Sequence, residues 1–559
     1  MKKWTTLLLI LLIALTSILS ACGTSNEPAD TTAAEPTAMT EPTAAPEAAA
    51  APEATEVPEP AAAAEPVDIS MWALASVTEA GPPADDWIAY DRIRDELGIN
   101  LHYTIIPPQG DGETKLNAAA AANDLPDLFM IVSTTNDRDN LRTYHDLGLI
   151  APVDDMFAMM PERTKTHYNN PVLIDLDSFD GQAYGLPNPP GITNREGLVI
   201  RQDWLDNLGL EAPTTPAELL EVAKAFTFND PDGNGQDDTY GIGAFIEGPG
   251  VGRRFNPIFG AYGVVDLWNF VDAADGNFGL NVRDPQYYEA MKTMIEFTDA
   301  GVIDPDWPTL TKDEFRARWK QGRTGIMWED FAALTNKSNY TPFDDNFPDA
   351  SWTPLPALTG PGGEHVYGLN EANFSTYAVS QKAADEGKKE AIARLLEWMA
   401  TDGYYLIGFG EEGVNFNLDE DGYITLDGID PDLAFNSPAM QPPTQLRGTA
   451  FYNTLAEISA RYPNYETNNG REMTPIKTYL EFFQSQQWIE GFAKKLIPPP
   501  ENAADFYRYY DEGILQFALG QKELTPESWA EYLAGLDSLG AVQFEEGARQ
   551  TLTDAGLLP

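Results

Sequence analysis

The sequence predicts an α/β protein with a helix-rich C-terminal part. Between residues 67 and 132, three strand-like runs alternate with two helical runs. In the last third of the chain, helical runs follow one another with few strand-like stretches between them. Alternation of strands and helices at this spacing is typical of a parallel or mixed sheet covered by helices.

Each of the first five elements is indicated by its own local pattern. Val67–Trp72 alternates apolar and polar residues as a strand does. Asp86–Gly98 carries apolar residues at helical spacing and ends at a glycine, the residue that most often terminates helices. Ile99–Ile106 is again strand-like, Glu113–Ala122 is an alanine-rich helix, and Pro126–Val132 is a third strand.

Three later helices are marked by capping residues at their starts. Thr215–Glu218 combines an N-cap threonine, proline at the first helical position and an acid at the capping-box position. Thr311–Glu314 repeats the box, and Thr525–Glu527 begins a helix near the end of the chain. Two further helices are predicted over Lys389–Ala400 and Ala504–Leu519.

The chain begins with the pattern of a secretory signal. The basic segment Met1–Lys3 precedes the apolar run Trp4–Leu19, which is too short for a stable membrane span. Leu19–Cys22 resembles the lipobox of bacterial lipoproteins, in which the signal is cut before a cysteine that then carries lipid. We therefore expect a signal peptide at 1–21 and a lipid anchor on Cys22, the only cysteine. The alternative is an ordinary signal peptide that ends in a cysteine by chance.

The segment 22–66 is predicted to be a disordered tether. Beyond its first residues it consists almost entirely of Ala, Pro, Glu and Thr, with no basic or aromatic residue. Such a composition buries too little apolar surface to offset the entropy of ordering, and recurring prolines favour extended chain. A folded body would then hang from the outer face of the cell membrane.

Charge and cysteine content exclude several classes of protein. The formal net charge is −52, so a nucleic acid is not expected as a partner. Solubility in an anionic or salty exterior also accounts for this charge. A single cysteine leaves no internal disulfide. The residues after the tether are enough for two or three domains.

The segment Asn229–Gly241 has the spacing of a calcium-binding loop. Oxygen-bearing side chains occupy positions 1, 3, 5 and 9 of an EF-hand-like loop, and position 7 offers a carbonyl. The predicted ligands of a structural Ca²⁺ are Asp230, Asp232, Asn234, Gln236 and Asp238. Gly241 stands at position 12, where a full EF-hand has an acid, and the alternative is a surface turn rich in Gly and Asp.

Several stretches form a recognisable pattern when they are taken together. In chain order they are Leu125–Leu128, Asp180–Pro187 (DGQAYGLP), Arg201–Leu210, Gly322–Trp328, Pro354–Pro356, Glu412–Val414 and the pair Trp529 and Tyr532. This ordered set resembles extracellular solute-binding proteins of family 1, the sugar-binding lipoproteins of carbohydrate ABC transporters. The chain length and the last two of these are most similar to the large oligosaccharide-binding branch of the family.

The resemblance implies a two-lobe, periplasmic-binding-protein-like fold of type II. The expected division is 67–187 for the first part of lobe 1, 188–325 for the first part of lobe 2 with the calcium loop at 229–241, 326–376 for a return to lobe 1, and 377–559 mainly for lobe 2 and C-terminal helices. The resemblance also implies a monomer that captures a carbohydrate, expected to be an oligosaccharide, as its lobes close. It would deliver this ligand to the permease subunits of an ABC importer.

Sugar binding requires flat apolar faces for pyranose C–H groups and polar side chains for hydroxyls. Aromatic residues near strand ends or loops, and polar residues beside them or near the expected lobe crossings, are therefore candidate ligand contacts. The candidates are Trp72, Trp268, Trp328, Glu329, Asn373 and Asn415.

Two other classes of function remain open. The four histidines are scattered and no nucleophile elbow or phosphate-binding loop occurs, so no catalytic residue is predicted. A surface glycoside hydrolase or lyase is not excluded, because 87 acidic residues supply carboxylate pairs by chance. A peptide- or anion-binding protein of the same fold would be favoured if Arg201, Arg253 and Arg254 lined the cleft.

Overall fold

The structure is a computed structural model. It describes residues 65–74, 81–107, 109–132, 137–169, 171–188, 192–270, 278–363, 365–370, 375–420, 422–444, 446–451 and 454–558. The predicted signal peptide, the lipidation site Cys22 and nearly all of the tether lie outside these residues. Within the described ranges, no helix is both long and apolar enough to cross a bilayer.

Most strands of the described residues are short and lie in the first three quarters of the chain. In chain order they are β1 (Val67–Leu74), β2 (Ile99–Ile106), β3 (Leu128–Met130), β4 (Ser178–Phe179), β5 (Gln182–Ala183), β6 (Leu186–Pro187), β7 (Glu196–Arg201), β8 (Tyr240–Gly243), β9 (Thr324–Asp330), β10 (Trp352–Pro354), β11 (Gly368–Asn370), β12 (Thr376–Val379), β13 (Asn417–Leu418), β14 (Ile424–Thr425), β15 (Tyr465–Glu466), β16 (Glu472–Met473) and β17 (Trp488–Glu490).

The α-helices are spread over the whole described chain. They are α1 (Ile88–Leu97), α2 (Gln109–Ala121), α3 (Asp137–Asp146), α4 (Asp154–Phe157), α5 (Pro161–His167), α6 (Pro171–Leu176), α7 (Gln202–Leu208), α8 (Pro216–Phe228), α9 (Asn256–Phe259), α10 (Pro285–Asp299), α11 (Lys312–Lys320), α12 (Phe331–Thr335), α13 (Lys337–Asn346), α14 (Gln381–Asp385), α15 (Lys389–Ala400), α16 (Tyr404–Phe409), α17 (Arg447–Ala450), α18 (Leu455–Arg461), α19 (Glu481–Gln484), α20 (Ala503–Ala518), α21 (Pro526–Ser538) and α22 (Ala541–Asp554).

Two mixed sheets organise the fold. The first has the strand order β2-β1-β3-β12-β6, in which β1 runs parallel to β2 and β3, whereas β12 is antiparallel to β3 and β6. The second has the order β10-β7-β9-β8, in which β8 is parallel to β9 and β7 is antiparallel to β9 and β10. These sheets with their covering helices confirm the predicted α/β two-lobe class.

The strand pairing divides the chain differently from the predicted lobe boundaries. The strands β9 and β10 pair within the second sheet, although the predicted return to the first lobe starts at 326. The core around the first sheet contains residues of α15, α16 and α17, whereas the core around the second sheet contains residues of α20, α21 and α22. Residues 377–450 therefore pack mainly with the first sheet, which sequence patterns did not indicate because burial partners are set by long-range contacts.

The local predictions agree closely with the structure. The second strand and the helix over Lys389–Ala400 have the predicted bounds, and the third strand is shorter than predicted. Thr311 and Glu314 form the complete capping box of α11. The N-cap hydroxyl of Thr525 accepts a hydrogen bond from the amide of Ser528, so Ser528 takes the place of an acid in that box.

Candidate functional site

A cleft lies at one edge of the second sheet, where the parallel strands β8 and β9 end and β7 begins. Two neighbouring cavities, of about 200 and 300 Å³, share Arg253, Asn256 and Leu369 in their walls. The loop 247–252 after β8 lines one cavity, and Glu196 and Asp330 at the strand ends line the other. Ligands of α/β sheets bind outside the carboxyl ends of strands, so this edge is the expected place for a binding site.

Trp488 forms an aromatic wall of the cleft. It is half-buried on β17 and its indole N–H donates to the Phe483 carbonyl at 2.8 Å, which fixes the ring orientation. Its ring centroid lies 5.4 Å from that of Tyr367 and 6.1 Å from that of Trp328. Gly368 on the paired strand β11 permits this placement, because a Cβ there would lie 2.8 Å from the indole. A partly exposed, fixed indole suits the apolar face of a sugar ring.

Two arginines connect the strand ends through carboxylates. Arg195 pairs with Asp330 at 2.6 Å. Arg253 pairs with Glu247 at 2.9 Å and with Glu196 at 3.3 Å. These ion pairs hold the side chains in place, because each guanidinium is paired with a carboxylate a few ångströms away in a region from which water is partly excluded.

Arg254 supports this network from behind the cleft. Its side chain is fully buried and contacts both Glu196, at 3.3 Å, and Glu247. It also donates to the carbonyl of Trp328 at 2.9 Å. Burial opposes ionisation of Glu247, but the charges of Arg254 and Arg253 outweigh it and hold the pKa of Glu247 below its usual value. Glu247 therefore stays ionised to lower pH than an ordinary glutamate.

Two further polar groups complete the lining. Lys494 pairs with Asp266 at 2.9 Å on the far side of the cleft. Asn256 lines both cavities and is 8% exposed. No described residue hydrogen-bonds its side chain, so its amide is available to a bound molecule.

Of the predicted ligand contacts, Trp328 reaches the cleft and Glu329 does not. Trp328 is 2% exposed and lies in a cavity wall beneath Trp488. Glu329 is fully buried and accepts two hydrogen bonds from Arg316, at 2.8 and 3.1 Å. Alternation along β9 turns adjacent side chains to opposite faces, so only one of the two neighbours can face the cleft.

Trp268 and Asn415 have structural contacts instead. The Trp268 ring is 2% exposed and covered by Phe278 and Phe544, with centroid distances of 5.1 and 4.8 Å. The Asn415 side chain accepts from the amide of Glu411 at 2.8 Å and donates to the Leu433 carbonyl at 2.7 Å. These contacts occupy both side chains, so the site proposed below does not include them.

The remaining two predicted contacts stay predictions. Trp72 is half-buried on β1 of the first sheet, and the Lys115 ammonium lies 4.5 Å from its ring centroid. Asn373 lies outside the described residues.

The three arginines named as signs of an anionic ligand lie in different places. Arg253 lines the cleft, whereas Arg254 is buried behind it. Arg201 is 2% exposed and pairs with Asp203 at 2.6 Å next to the core residue Trp204. Only one of the three therefore meets the cleft.

The predicted calcium ligands form a compact exposed loop after α8. The Asp230 carboxylate accepts hydrogen bonds from the amides of Asn234 and Gly235, both at 3.0 Å. The Asn234 side chain donates to Asp232 at 2.9 Å and to Asp238 at 3.2 Å. Glycines at 233 and 235 have φ values of 68° and 75°, which permit the tight turns.

The chemistry of this loop fits a hard cation. Burial, and then the neighbouring carboxylates Asp230 and Asp238, raise the pKa of Asp232 above its ordinary value. Carboxylate and amide oxygens at this spacing are the ligands that Ca²⁺ prefers. Among the described residues, however, no three acidic, histidine or cysteine side chains lie close enough together to form a metal-binding cluster. The carboxylates would therefore have to draw closer around an ion.

Sequence patterns missed most of the residues that line the cleft, among them Arg195, Asn256 and Trp488. The tryptophan lies in Gln486–Glu490, which has no periodic pattern of its own. It reaches the cleft only because β17 pairs with β11, more than a hundred residues earlier in the chain. No local signal could have identified it.

The chain is similar to curated and solved proteins that bind sugars, although no family model matches it. The polygalacturonan/rhamnogalacturonan-binding protein YtcQ of Bacillus subtilis is 26% identical over 432 residues, 76% of each chain. The fructooligosaccharide ABC transporter substrate-binding protein FusA of Streptococcus pneumoniae is 27% identical over 296 residues, 51% of this chain and 52% of FusA.

Solved structures share the fold. A solute-binding protein of Bifidobacterium longum infantis, associated with an ABC transporter and described as binding HMO, has a TM-score of 0.63 at 18% identity, covering 88% of this chain and all of that one. An EF-hand mutant of FusA in complex with fructo-nystose has a TM-score of 0.58 at 18% identity, covering 88% of this chain and 99% of FusA. FusA and the Bifidobacterium protein are named as binding proteins of ABC transporters, and YtcQ is named for the polysaccharides that it binds. These similarities confirm the resemblance that the sequence predicts.

Proposed function

We propose that this protein is an extracellular solute-binding protein that captures an oligosaccharide by lobe closure and delivers it to an ABC importer. The observation that carries the proposal is the cleft at the ends of β8 and β9. It combines the fixed indole of Trp488 with polar groups that are already in place. Such a site binds the apolar face of a pyranose and its hydroxyl groups at the same time.

The relatives support a carbohydrate ligand. YtcQ and FusA are named for the saccharides they bind, and each resembles this chain over half of its length or more. Their ligands differ, an acidic polymer for one and fructooligosaccharides for the other. The similarity therefore supports the class of ligand and leaves the individual sugar to experiment.

The cleft carboxylates favour binding without turnover. A glycoside hydrolase needs a carboxylic acid whose pKa is raised so that it can protonate the leaving group. Glu196, Glu247 and Asp330 instead each lie against a guanidinium, and the pKa of Glu247 is lowered. We propose that the protein makes and breaks no bond in its ligand.

Cys22 is proposed to anchor the protein by lipid at the outer face of the cell membrane. The support is the lipobox-like Leu19–Cys22, together with a lipoprotein, LipO of Bacillus subtilis, among the relatives. Permease subunits in the same membrane would be its partner, and the protein would act as a monomer.

A structural Ca²⁺ in the loop 229–241 is proposed as the cofactor. Asp230, Asp232, Asn234 and Asp238 would hold it by side-chain oxygens, with the carbonyl of Gln236 as a further ligand. The support is the set of oxygen donors and the EF-hand described for FusA. The ion would hold together the loop between α8 and β8.

Thermal unfolding of the purified chain against a saccharide panel tests the proposal. At 100 times Kd a ligand stabilises the folded state by about 2.7 kcal/mol, which is a readable rise in Tm. A rise with an oligosaccharide, without hydrolysis products by chromatography, is the expected result. Stabilisation by peptides or small anions but by no saccharide would contradict the carbohydrate assignment. Release of shortened saccharides would indicate an enzyme.

A further inference from the structure

We propose that the ligand of this cleft is an uncharged oligosaccharide and that uronate-containing saccharides are disfavoured. This inference rests on the proposed function, since it names the class of saccharide for the same cleft. It follows from the charge balance among the described residues that line the two cavities. It also follows from which member of each ion pair is the more exposed.

Every cationic side chain among these lining residues already has a carboxylate partner. The cations are Arg195, Arg253 and Lys494, and the carboxylates are Glu196, Glu247, Asp266 and Asp330. The buried Arg254 supplies the fourth positive charge from behind. The described lining and its support therefore carry no net charge, and no guanidinium is left without a carboxylate to attract a ligand anion.

In two of these ion pairs the guanidinium is more exposed than the carboxylate that neutralises it. Arg253 is 43% exposed whereas its partner Glu196 is 14% exposed, and Arg195 is 34% exposed whereas Asp330 is 12% exposed. The carboxylates lie deeper and neutralise the guanidiniums, which are the more exposed member of each pair and the one that a ligand hydroxyl would meet first. Together with the indole of Trp488, this set suits a neutral sugar ring.

A uronate ring would add one negative charge to this balanced site. To gain a charge-assisted hydrogen bond it would have to compete with Glu196 or Asp330, which are already in place and partly desolvated. The chain as a whole carries a formal charge of −52, which adds repulsion toward a polyanion. By this reasoning the specificity differs from that named for YtcQ, although that protein is a relative.

The test compares neutral with acidic saccharides in calorimetric titrations of the full chain at about 0.15 M salt, where surface charges are screened beyond about 8 Å. The probes are trigalacturonic acid, its fully methyl-esterified counterpart, and a panel of neutral hexose and pentose oligosaccharides. The expected result is binding of one or more neutral saccharides, with trigalacturonic acid at least tenfold weaker than its ester or without measurable binding.

The outcomes separate the two proposals. Binding of trigalacturonic acid as tight as, or tighter than, that of every neutral probe would overturn this inference and leave the proposed function in place. Absence of binding for all neutral and acidic saccharides would overturn both.

A charge variant provides an independent check. Glu196→Gln removes one carboxylate beside Arg253 and Arg254, so the cleft gains a net positive charge. The ratio of the Kd for trigalacturonic acid to that for its ester, or for the neutral saccharide found to bind, should fall at least threefold. Glu296→Gln, on the exposed face of α10, is the matched control and should leave the ratio unchanged. An unchanged ratio in Glu196→Gln would contradict the charge-balance argument.

Discussion

The cleft and the loop 229–241 both contain several acidic residues, but the negative charges of the cleft are balanced by arginines and those of the loop are not. In the cleft, Glu196, Glu247 and Asp330 each contact a guanidinium of the same chain. In the loop, the side-chain amide of Asn234 donates to Asp232 and Asp238, and burial together with the neighbouring carboxylates raises the pKa of Asp232. The balanced charge of the cleft suits the neutral ligand that we propose there, whereas the unbalanced charge of the loop suits the cation that we propose for it.

Removal of Arg254 should give the largest effect, because the cleft depends on internal charge balance. Arg254→Met leaves two partly buried carboxylates with a single guanidinium, and we expect the free energy of unfolding to fall by about 3 kcal/mol. Urea denaturation monitored by circular dichroism measures it. Arg508→Met is the control, because Arg508 is 62% exposed and forms a surface ion pair with Asp505 at 3.0 Å. It should cost less than about 1 kcal/mol. Equal losses in the two variants would show that the cleft network contributes no more than a surface pair.

Calcium should stabilise the chain through the loop and not through the cleft. With a Kd of about 10 µM, 1 mM Ca²⁺ would add about 2.7 kcal/mol to the free energy of unfolding relative to excess chelator. Scanning calorimetry with Ca²⁺, with Mg²⁺ and with chelator measures this. Asp238→Asn should remove most of the gain, and Glu247→Gln, in the cleft, should retain it. If Tm is the same with Ca²⁺ and with chelator, the loop is a turn without a metal.

The aromatic wall of the cleft should control ligand affinity while leaving the loop unaffected. Trp488→Ala should raise the Kd for a saccharide that binds in the panel by about tenfold, or 1.4 kcal/mol, because the site loses the stacking surface of the indole ring. Calorimetric titration gives the Kd, and the Ca²⁺-dependent rise in Tm serves as the check that the variant is folded. Trp72→Ala tests the remaining predicted aromatic contact of the first sheet in the same way. Unchanged affinity in Trp488→Ala would place the ligand elsewhere.

The smallest expected effect is on the pH dependence of stability, to which Glu247 and Asp232 should contribute with opposite signs. Glu247 has a lowered pKa in the folded chain, so its stabilising contribution is present above its ordinary value near 4.5 and is lost as pH falls below it. Asp232 has a raised pKa, so without Ca²⁺ its ionised form costs stability, and that cost disappears as pH falls toward 3.8.

Two variants distinguish these opposite contributions when the free energy of unfolding is measured between pH 3.5 and 7 in the presence of chelator. Glu247→Gln should be less stable than the parent chain at pH 7, and Asp232→Asn should be more stable, each by about 0.5 kcal/mol. Both differences should narrow on acidification. Differences of the same sign at pH 7 would argue against the contrast between cleft and loop.

The sequence by itself determined the elements that depend on neighbouring residues. Alternation within Ile99–Ile106 and the cap at Thr311–Glu314 act over less than ten residues, and the structure reproduces both. The candidate calcium ligands lie within nine residues of one another, so their spacing alone indicates a common site. The resemblance of several ordered motifs was enough to predict the two-lobe class.

Only the tertiary structure decided which side chains form the cleft. Trp488 meets Trp328 because β17 pairs with β11 and both pack on the second sheet, and Arg195 meets Asp330 because β7 lies beside β9. Trp268 and Trp328 have similar local sequence signals, yet one is enclosed by Phe278 and Phe544 and the other reaches a cavity wall. Burial and partner choice depend on contacts that include residues more than a hundred positions apart, such as Trp268 with Phe544 and Trp328 with Trp488, and local periodicity carries no information about them.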